Sequence, residues 1–165
     1  MKIRFTTLGC KLNFAESSAL GRELLSRGHQ RASLNEAPDI CVVNTCSVTD
    51  AADHKDRQAI HQLHRKYPNA IIIVTGCYAQ LQPEQISQIE GVDYVLGQNE
   101  KYSIPKLVAT LESDAAKAAI GRAEPYGILD ATLMGEEARR REGDEARRQV
   151  IAFVMIPYLE REDFT

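Results

Sequence analysis

Residues 40–49 read ICVVNTCSVT, and the rest of the chain is arranged around this stretch. An apolar run of Ile40, Cys41, Val42 and Val43 gives way to Asn44-Thr45-Cys46, then to Ser47-Val48-Thr49 at the head of a polar helical segment. A strand buried on both faces and ending at a cysteine has this composition. The pattern occurs twice more, at residues 3–10 (IRFTTLGC) and 70–77 (AIIIVTGC). Cys46 follows Cys10 by 36 residues and Cys77 follows Cys46 by 31, about one βαβ unit or slightly more each. In an open parallel sheet the carboxyl ends of the strands share one edge, where ligands bind. The recurrence predicts three thiols delivered to that edge.

Strand and helix patterns alternate outward from there. Residues 3–8 read as the first strand and Gly9-Cys10 as a turn. Asn13 with Glu16 has capping-box spacing, so the first helix is expected from Asn13 to about Arg27, with Ala15, Leu20, Leu24 and Leu25 inward and Gly28 as its stop. A weak extended piece at residues 29–34 and a loop ending at Pro38 lead into the strand 40–45. The next helix starts near Thr49 or Asp50, turns Ala52, Ala59, Ile60 and Leu63 inward, and ends before Pro68. Residues 70–75 form a strand. After Cys77 a loop is expected, then a helix from Pro83 with Ile86 and Ile89 inside and Gly91 as terminator. Residues 92–96 are a further strand, and Ser103 caps a helix over 104–112.

This alternation predicts an α/β fold: a doubly wound, mostly parallel open sheet with helices on both faces, occupying residues 1–112. Residues 113–165 read as a linker, a charged helix at 136–148 (EEARRREGDEARR) and a short strand at 150–156 (VIAFVMI). The arginines of the charged helix are interleaved with glutamates, which favours i,i+4 pairing over a phosphate-binding stripe.

At 165 residues, 44% apolar and 26% charged, the chain has enough apolar content to bury a core. No apolar run approaches the ~20 residues that span a bilayer, and no signal-peptide pattern opens the chain, so a cytoplasmic protein without membrane contact is expected. In that compartment thiols stay reduced, and Cys10, Cys41, Cys46 and Cys77 read as metal-binding, reactive or buried residues. A net charge of −3 gives no global support for nucleic-acid binding.

Strand parity separates the cysteines. Residues 42, 44 and 46 face one way and 41, 43 and 45 the other. Cys41 also lies about 16 Å along an extended chain from Cys46. It is expected in the core, and Cys10, Cys46 and Cys77 are expected to form a ligand site. Structural zinc takes four protein ligands, usually as close pairs, and no CxxC pair is present. Three well-separated thiolates suit an iron–sulfur cluster with one iron free of protein ligands, and a dithiol redox or nucleophilic role is the remaining option. Gly9 and Gly76 would let backbone amides approach such a group. Asn13, Asn44, Thr45 and Tyr78 are candidates for lining the site, with Gln80 beside them. His54, His61 and His64 fall within about an 80° arc of their helix, but among Lys55, Arg57, Arg65 and Lys66 they read as a solvated face.

TLGCKLN (7–13), NTCSVTDAADHKDRQAI (44–60) and TGCYAQ (75–80) resemble the N-terminal domain of the radical-SAM methylthiotransferases. They are most similar to the subgroup acting on N6-threonylcarbamoyladenosine beside the tRNA anticodon. The resemblance implies that Cys10, Cys46 and Cys77 hold an auxiliary [4Fe–4S] cluster used in sulfur insertion at carbon 2 of the modified adenine. It implies tRNA and a sulfur donor as partners. It also implies a second cluster, on a CxxxCxxC motif in a following barrel, that cleaves S-adenosylmethionine, and a small RNA-binding domain after it. No CxxxCxxC occurs in the 165 residues, so this chain is not expected to generate the radical by itself. The resemblance covers about residues 1–112, the segment after about Arg148 does not match what the family has there, and a truncated product, an isolated domain and a divergent stand-alone protein are the open expectations. The rival expectation is a non-catalytic α/β ligand- or partner-binding module with structural cysteines. The absence of a GxGxxG or P-loop pattern counts against nucleotide as its ligand.

Overall fold

The computed structural model describes residues 1–47, 49–119 and 152–154. In chain order the elements are β1 (Lys2–Thr7), α1 (Lys11–Ser26), β2 (Gln30–Arg31), β3 (Ile40–Thr45), α2 (Asp50–Lys66), β4 (Ile71–Gly76), α3 (Cys77–Leu81), α4 (Pro83–Ser87), β5 (Tyr94–Leu96), a 3-10 turn (Glu100–Ser103), α5 (Ile104–Ala119) and β6 (Ala152–Val154). The strands pair in the order β2-β1-β3-β4-β5-β6, and every pairing is parallel. Parallel neighbours need crossovers, and the helices supply them from β1 to β5. The expected doubly wound α/β architecture is the one observed.

All six residues of β3 are buried, because the strand has neighbours on both sides and helices on both faces. Alternation splits its side chains between two cores. Ile40 and Val42 join Ile3, Ile73 and Leu96 under α1 and α5, which contribute Leu20, Leu24, Ile104 and Val108. Cys41 and Val43 join Ile72, Val74 and Val95 under Ile60 of α2, Tyr78 of α3 and Ile86 of α4. The strand order reverses at β1, and α1 and α2 leave for opposite faces. The switch in strand order therefore falls between β1 and β3, at whose carboxyl ends open α/β sheets bind ligands.

Several local expectations are corrected. The N-cap of α1 is Cys10, three residues before the Asn13 that the capping-box spacing suggests, and it makes no side-chain cap. Asn13 therefore sits inside the first turn with its side chain beneath the helix. The inward stripe is Asn13, Ser17, Leu20 and Leu24, while Leu25 is 51% exposed and Ala15 is exposed. A hydrophobicity reading misses this stripe because its upper half is polar, facing the backbone groups where β1 and β3 end. The residues after Cys77 form a short helix instead of a loop, and α5 runs on to Ala119 instead of stopping at 112, with Ser103 closing a 3-10 turn. The terminal strand pairs with β5, Leu96 opposite Val154. The charged segment 136–148 lies outside the described residues. Among those residues no helix is long and apolar enough to cross a membrane.

Candidate functional site

Strand register determines which residues meet at the carboxyl edge. Thr7 lies opposite Asn44, and Thr45 lies opposite Gly76. Cys10, Cys46 and Cys77 thus follow the ends of three adjacent strands. Cys10 is exposed, Cys46 is 6% exposed and Cys77 is half-buried; none of the four cysteines is in a disulfide.

Two glycines bring the neighbouring backbones against the central one. Gly9 has φ +95°, and a β-carbon there would overlap that of Cys46 and stand 2.7 Å from its Sγ. Gly76 has φ +103°, and a β-carbon there would overlap the Thr45 carbonyl and stand 2.7 Å from Asn44 Oδ1. Both are left-handed conformations open to glycine and strained for other residues. The segments carrying Cys10 and Cys77 therefore close on the Asn44-Thr45-Cys46 segment from either side.

Where the strands stop, the sheet's hydrogen-bond ladder stops too, and buried backbone groups need other partners. The site's polar side chains provide them. Asn13 Nδ2 donates to Leu8 O at 2.8 Å and Thr45 O at 3.0 Å, joining the ends of β1 and β3. Asn44 Nδ2 donates to Asn13 O and Ser17 Oγ, both at 3.1 Å. Thr45 Oγ1 donates to Thr75 O at 2.6 Å and accepts from Ala79 N at 3.4 Å. Asn13, Asn44 and Thr45 thus form a buried floor below the thiols. Tyr78 does not line the edge as expected: it is fully buried in the core, its hydroxyl 3.2 Å from Gln85 Oε1. Helix α3 starts at Cys77, and its first turn carries Tyr78 inward. Gln80 is exposed and accepts the Gln98 N–H at 2.9 Å.

Two features were missed by sequence reasoning. The first is Asp56, whose Oδ2 accepts the Cys46 N–H at 3.0 Å. Burial pushes its carboxyl up to about 7, opposed by the Cys46 N–H and aided by the nearby Asp53 charge. Asp56 lies four residues after Ala52 and four before Ile60, so a carboxylate inside an inward stripe was the available signal. The second is the ion pair between Lys101 Nζ and Glu16 Oε2 at 2.5 Å, which ties the turn after β5 to α1. Lys101 is fully buried, and nothing in its local sequence marks it. Cys41, as expected, is core: burial pushes its thiol up to about 11. His54 and His61 are exposed, in keeping with the solvated face.

Among the described residues no three His, Cys, Asp or Glu side chains form a group that could hold a single metal ion. A zinc ion would draw its sulfurs to about 2.3 Å from one centre. A four-iron cluster takes each thiolate on a different iron, so its ligands stand wider apart. The donor set at this edge is all thiol, the set that iron–sulfur clusters use. The glycine backbones beside it pack directly against Cys46 and Thr45, in space that a side chain would have to share. In donor chemistry the three thiols match the larger group.

Known proteins carry the same stretch. The family model described as "Uncharacterized protein family UPF0004" matches residues 2–97. Threonylcarbamoyladenosine tRNA methylthiotransferase MtaB of Aquifex aeolicus is 34% identical over 163 residues, 96% of this chain and 40% of that protein. The Bacillus subtilis protein of the same name is 41% identical over 99 residues, 60% of this chain and 22% of the relative. Ribosomal protein uS12 methylthiotransferase RimO of Chloroflexus aurantiacus is 36% identical over 113 residues, 68% of this chain and 25% of the relative. The chain thus spans 40% or less of the length of these relatives. Its match to the family model runs from the first strand to just past the end of β5, and on that ground the chain belongs to the UPF0004 family, the N-terminal domain of the methylthiotransferases.

Proposed function

We propose that Cys10, Cys46 and Cys77 each ligate one iron of an auxiliary [4Fe–4S] cluster, within a methylthiotransferase that modifies N6-threonylcarbamoyladenosine at carbon 2 beside the tRNA anticodon. The observation that carries this reading is the placement of three thiols after the ends of three adjacent parallel strands, with glycine backbones packed between them. The names of the relatives support the substrate class. When bound, the cluster supplies an iron without a protein ligand, at which sulfur can be held for transfer.

The chain's own residues prepare that position. Asn13 and Asn44 lock the ends of β1 and β3 together, and Thr45 locks β3 to β4. Gly9 admits its backbone close to Cys46, and Gly76 close to Asn44 and Thr45 just before it. In this reading radical generation from S-adenosylmethionine is assigned to no residue of the 165. The tRNA and the sulfur donor meet the cluster at the open carboxyl edge, and the enzyme works in the cytoplasm.

Anaerobic reconstitution with ferrous iron and sulfide tests the reading. The wild-type chain is expected to take up about four irons and to show the broad visible absorption of such a centre. Cys46→Ala is expected to abolish both. Uptake of zinc in place of iron and sulfide, or no uptake, overturns the proposal.

A further inference from the structure

Helix α2 sorts its charged side chains by sign. Its exposed side carries Lys55, Arg57, Arg65 and Lys66, with His54, His61 and two glutamines between them. At 3.6 residues per turn these positions cover about half of the helix circumference. Asp53 and Asp56 lie on the opposite side, 7% and 1% exposed, with Ile60. Asp50, in the first turn, is the one exposed carboxylate of the helix.

A solvated helix face ordinarily mixes both signs and pairs them four residues apart. Glu23 on α1 pairs in this way with Arg27, at 2.7 Å. None of the four α2 cations forms an ion pair among the described residues. Arg65 Nε donates to the His61 carbonyl of its own helix at 3.4 Å, and Lys66 Nζ stands 5.3 Å from the centre of the Tyr67 ring. Glu90 borders the face, sharing a hollow with Gln58 and Arg65. The helix dipole favours Arg65 and Lys66 in the last turn. It gives no account of Lys55 and Arg57, which lie in the first half.

The face also begins beside the thiol edge. Asp56, whose Oδ2 accepts the Cys46 N–H at 3.0 Å, stands between Lys55 and Arg57 in the chain. From Lys55 the cations extend about 16 Å along the helix to Lys66. An unpaired positive face of this length fits a polyanion. A protein partner would call for aromatic or apolar side chains at the centre of the contact. A membrane surface would call for a stripe of Trp, Phe or Leu to insert. Among the described residues no exposed large hydrophobic side chain belongs to α2. Contacts with nucleic acids are polar and strongly positive, and phosphate and sugar oxygens accept hydrogen bonds from Lys, Arg and Gln.

We propose that the outer face of α2 is a contact surface for the sugar–phosphate backbone of RNA, along which a strand reaches the thiol edge. RNA as the polyanion rests on the tRNA reading above, whereas the sorted face is a property of the chain alone.

Fluorescence anisotropy with the full chain and an unmodified RNA stem-loop of anticodon-arm size tests the proposal. Each phosphate contact adds about 0.7–0.9 to the slope of log affinity against log salt. Lys55→Gln and Arg65→Gln are each expected to lower that slope by about one and to weaken binding about fivefold near 0.1 M salt. Arg22→Gln makes the same charge change on the exposed side of α1 and is expected to leave both unchanged. All three side chains are exposed, so the variants should fold as the parent chain does. No RNA binding by the wild-type chain, unchanged slopes in the α2 variants, or equal losses in all three variants overturn the proposal. So does binding of an oligoglutamate peptide or of phosphatidylglycerol vesicles as tight as that of the RNA. Iron and sulfide uptake separates this outcome from that of the cluster. Uptake without α2-dependent RNA binding removes the face and leaves the cluster, and α2-dependent binding without uptake does the reverse.

Discussion

The two edges of the sheet handle polar groups in opposite ways. At the amino edge, Lys2 Nζ meets Glu36 Oε1 at 2.9 Å with both side chains more than 40% exposed, and the Lys2 N–H reaches Asp39 Oδ2 at 2.6 Å. Water screens these pairs, and their geometry is not tightly held. At the carboxyl edge, Asn13, Asn44, Thr45, Asp56 and Lys101 are each 1% exposed or less, and each is bonded to backbone or to a single partner. Each such bond, shielded from water, fixes the backbone it reaches, although Asn44 Oδ1 and Asp56 Oδ1 have no hydrogen-bond partner among the described residues. The fold therefore positions backbone firmly at the edge that carries the three thiols and loosely at the other.

Substitutions along the two edges sharpen this contrast. The largest loss is expected for Gly76→Ala, which forces a β-carbon into the Thr45 carbonyl at φ +103°. Strain and overlap together should cost about 4 kcal/mol in chemical denaturation. Lys101→Ala leaves the Glu16 carboxylate, 11% exposed, without its cation and with only the Gln98 Nε2 bond at 3.2 Å, and should cost about 3 kcal/mol. A loss near zero would mean that water reaches Glu16 and that the carboxyl edge is as open as the amino edge.

Within β3 the contrast narrows to two thiols. Cys41→Ala should lower stability by about 1 kcal/mol and leave iron uptake intact, whereas Cys46→Ala should remove uptake. The unfolded thiol ionises near 9.0 and folded Cys41 at about 11. The folded chain thus holds more protons in that window, and stability should fall as pH rises from 9 toward 11. That slope should shrink in Cys41→Ala. The smallest effect belongs to the amino edge. Lys2→Ala should change the melting temperature least, and added salt should erase the change. Glu36, held down to about 2 chiefly by its hydrogen bond from Lys2, contributes stability above pH 4.5 that is lost as pH falls toward 2. In Lys2→Ala that acid-side loss should diminish.

The central strands were legible because β3 and β4 are apolar on both faces and are bounded by Pro38, Pro68 and glycines. Their parity also placed Cys41 in the core. Tyr78 and the start of α1 were misplaced for one shared reason. Near Cys10 and Cys77 the helices begin at the cysteines themselves, without the side-chain caps that announce a helix start. Hydrophobic periodicity is equally blind to Asn13 and Ser17, whose inward direction follows from backbone groups left open by strands distant in the chain.

From residues alone came the alternation of strands and helices, the three strand-to-cysteine junctions and the family. Those are local properties, set by side-chain polarity at periods of two and 3.6 and by short glycine-containing turns. Which junctions stand side by side was decided by the pairing of β1, β3 and β4. So were the burial of Asp56 behind Cys46 and the contact of Lys101 with Glu16, residues 85 positions apart. Such contacts depend on register and on which face each helix covers, and no stretch of sequence encodes either by itself.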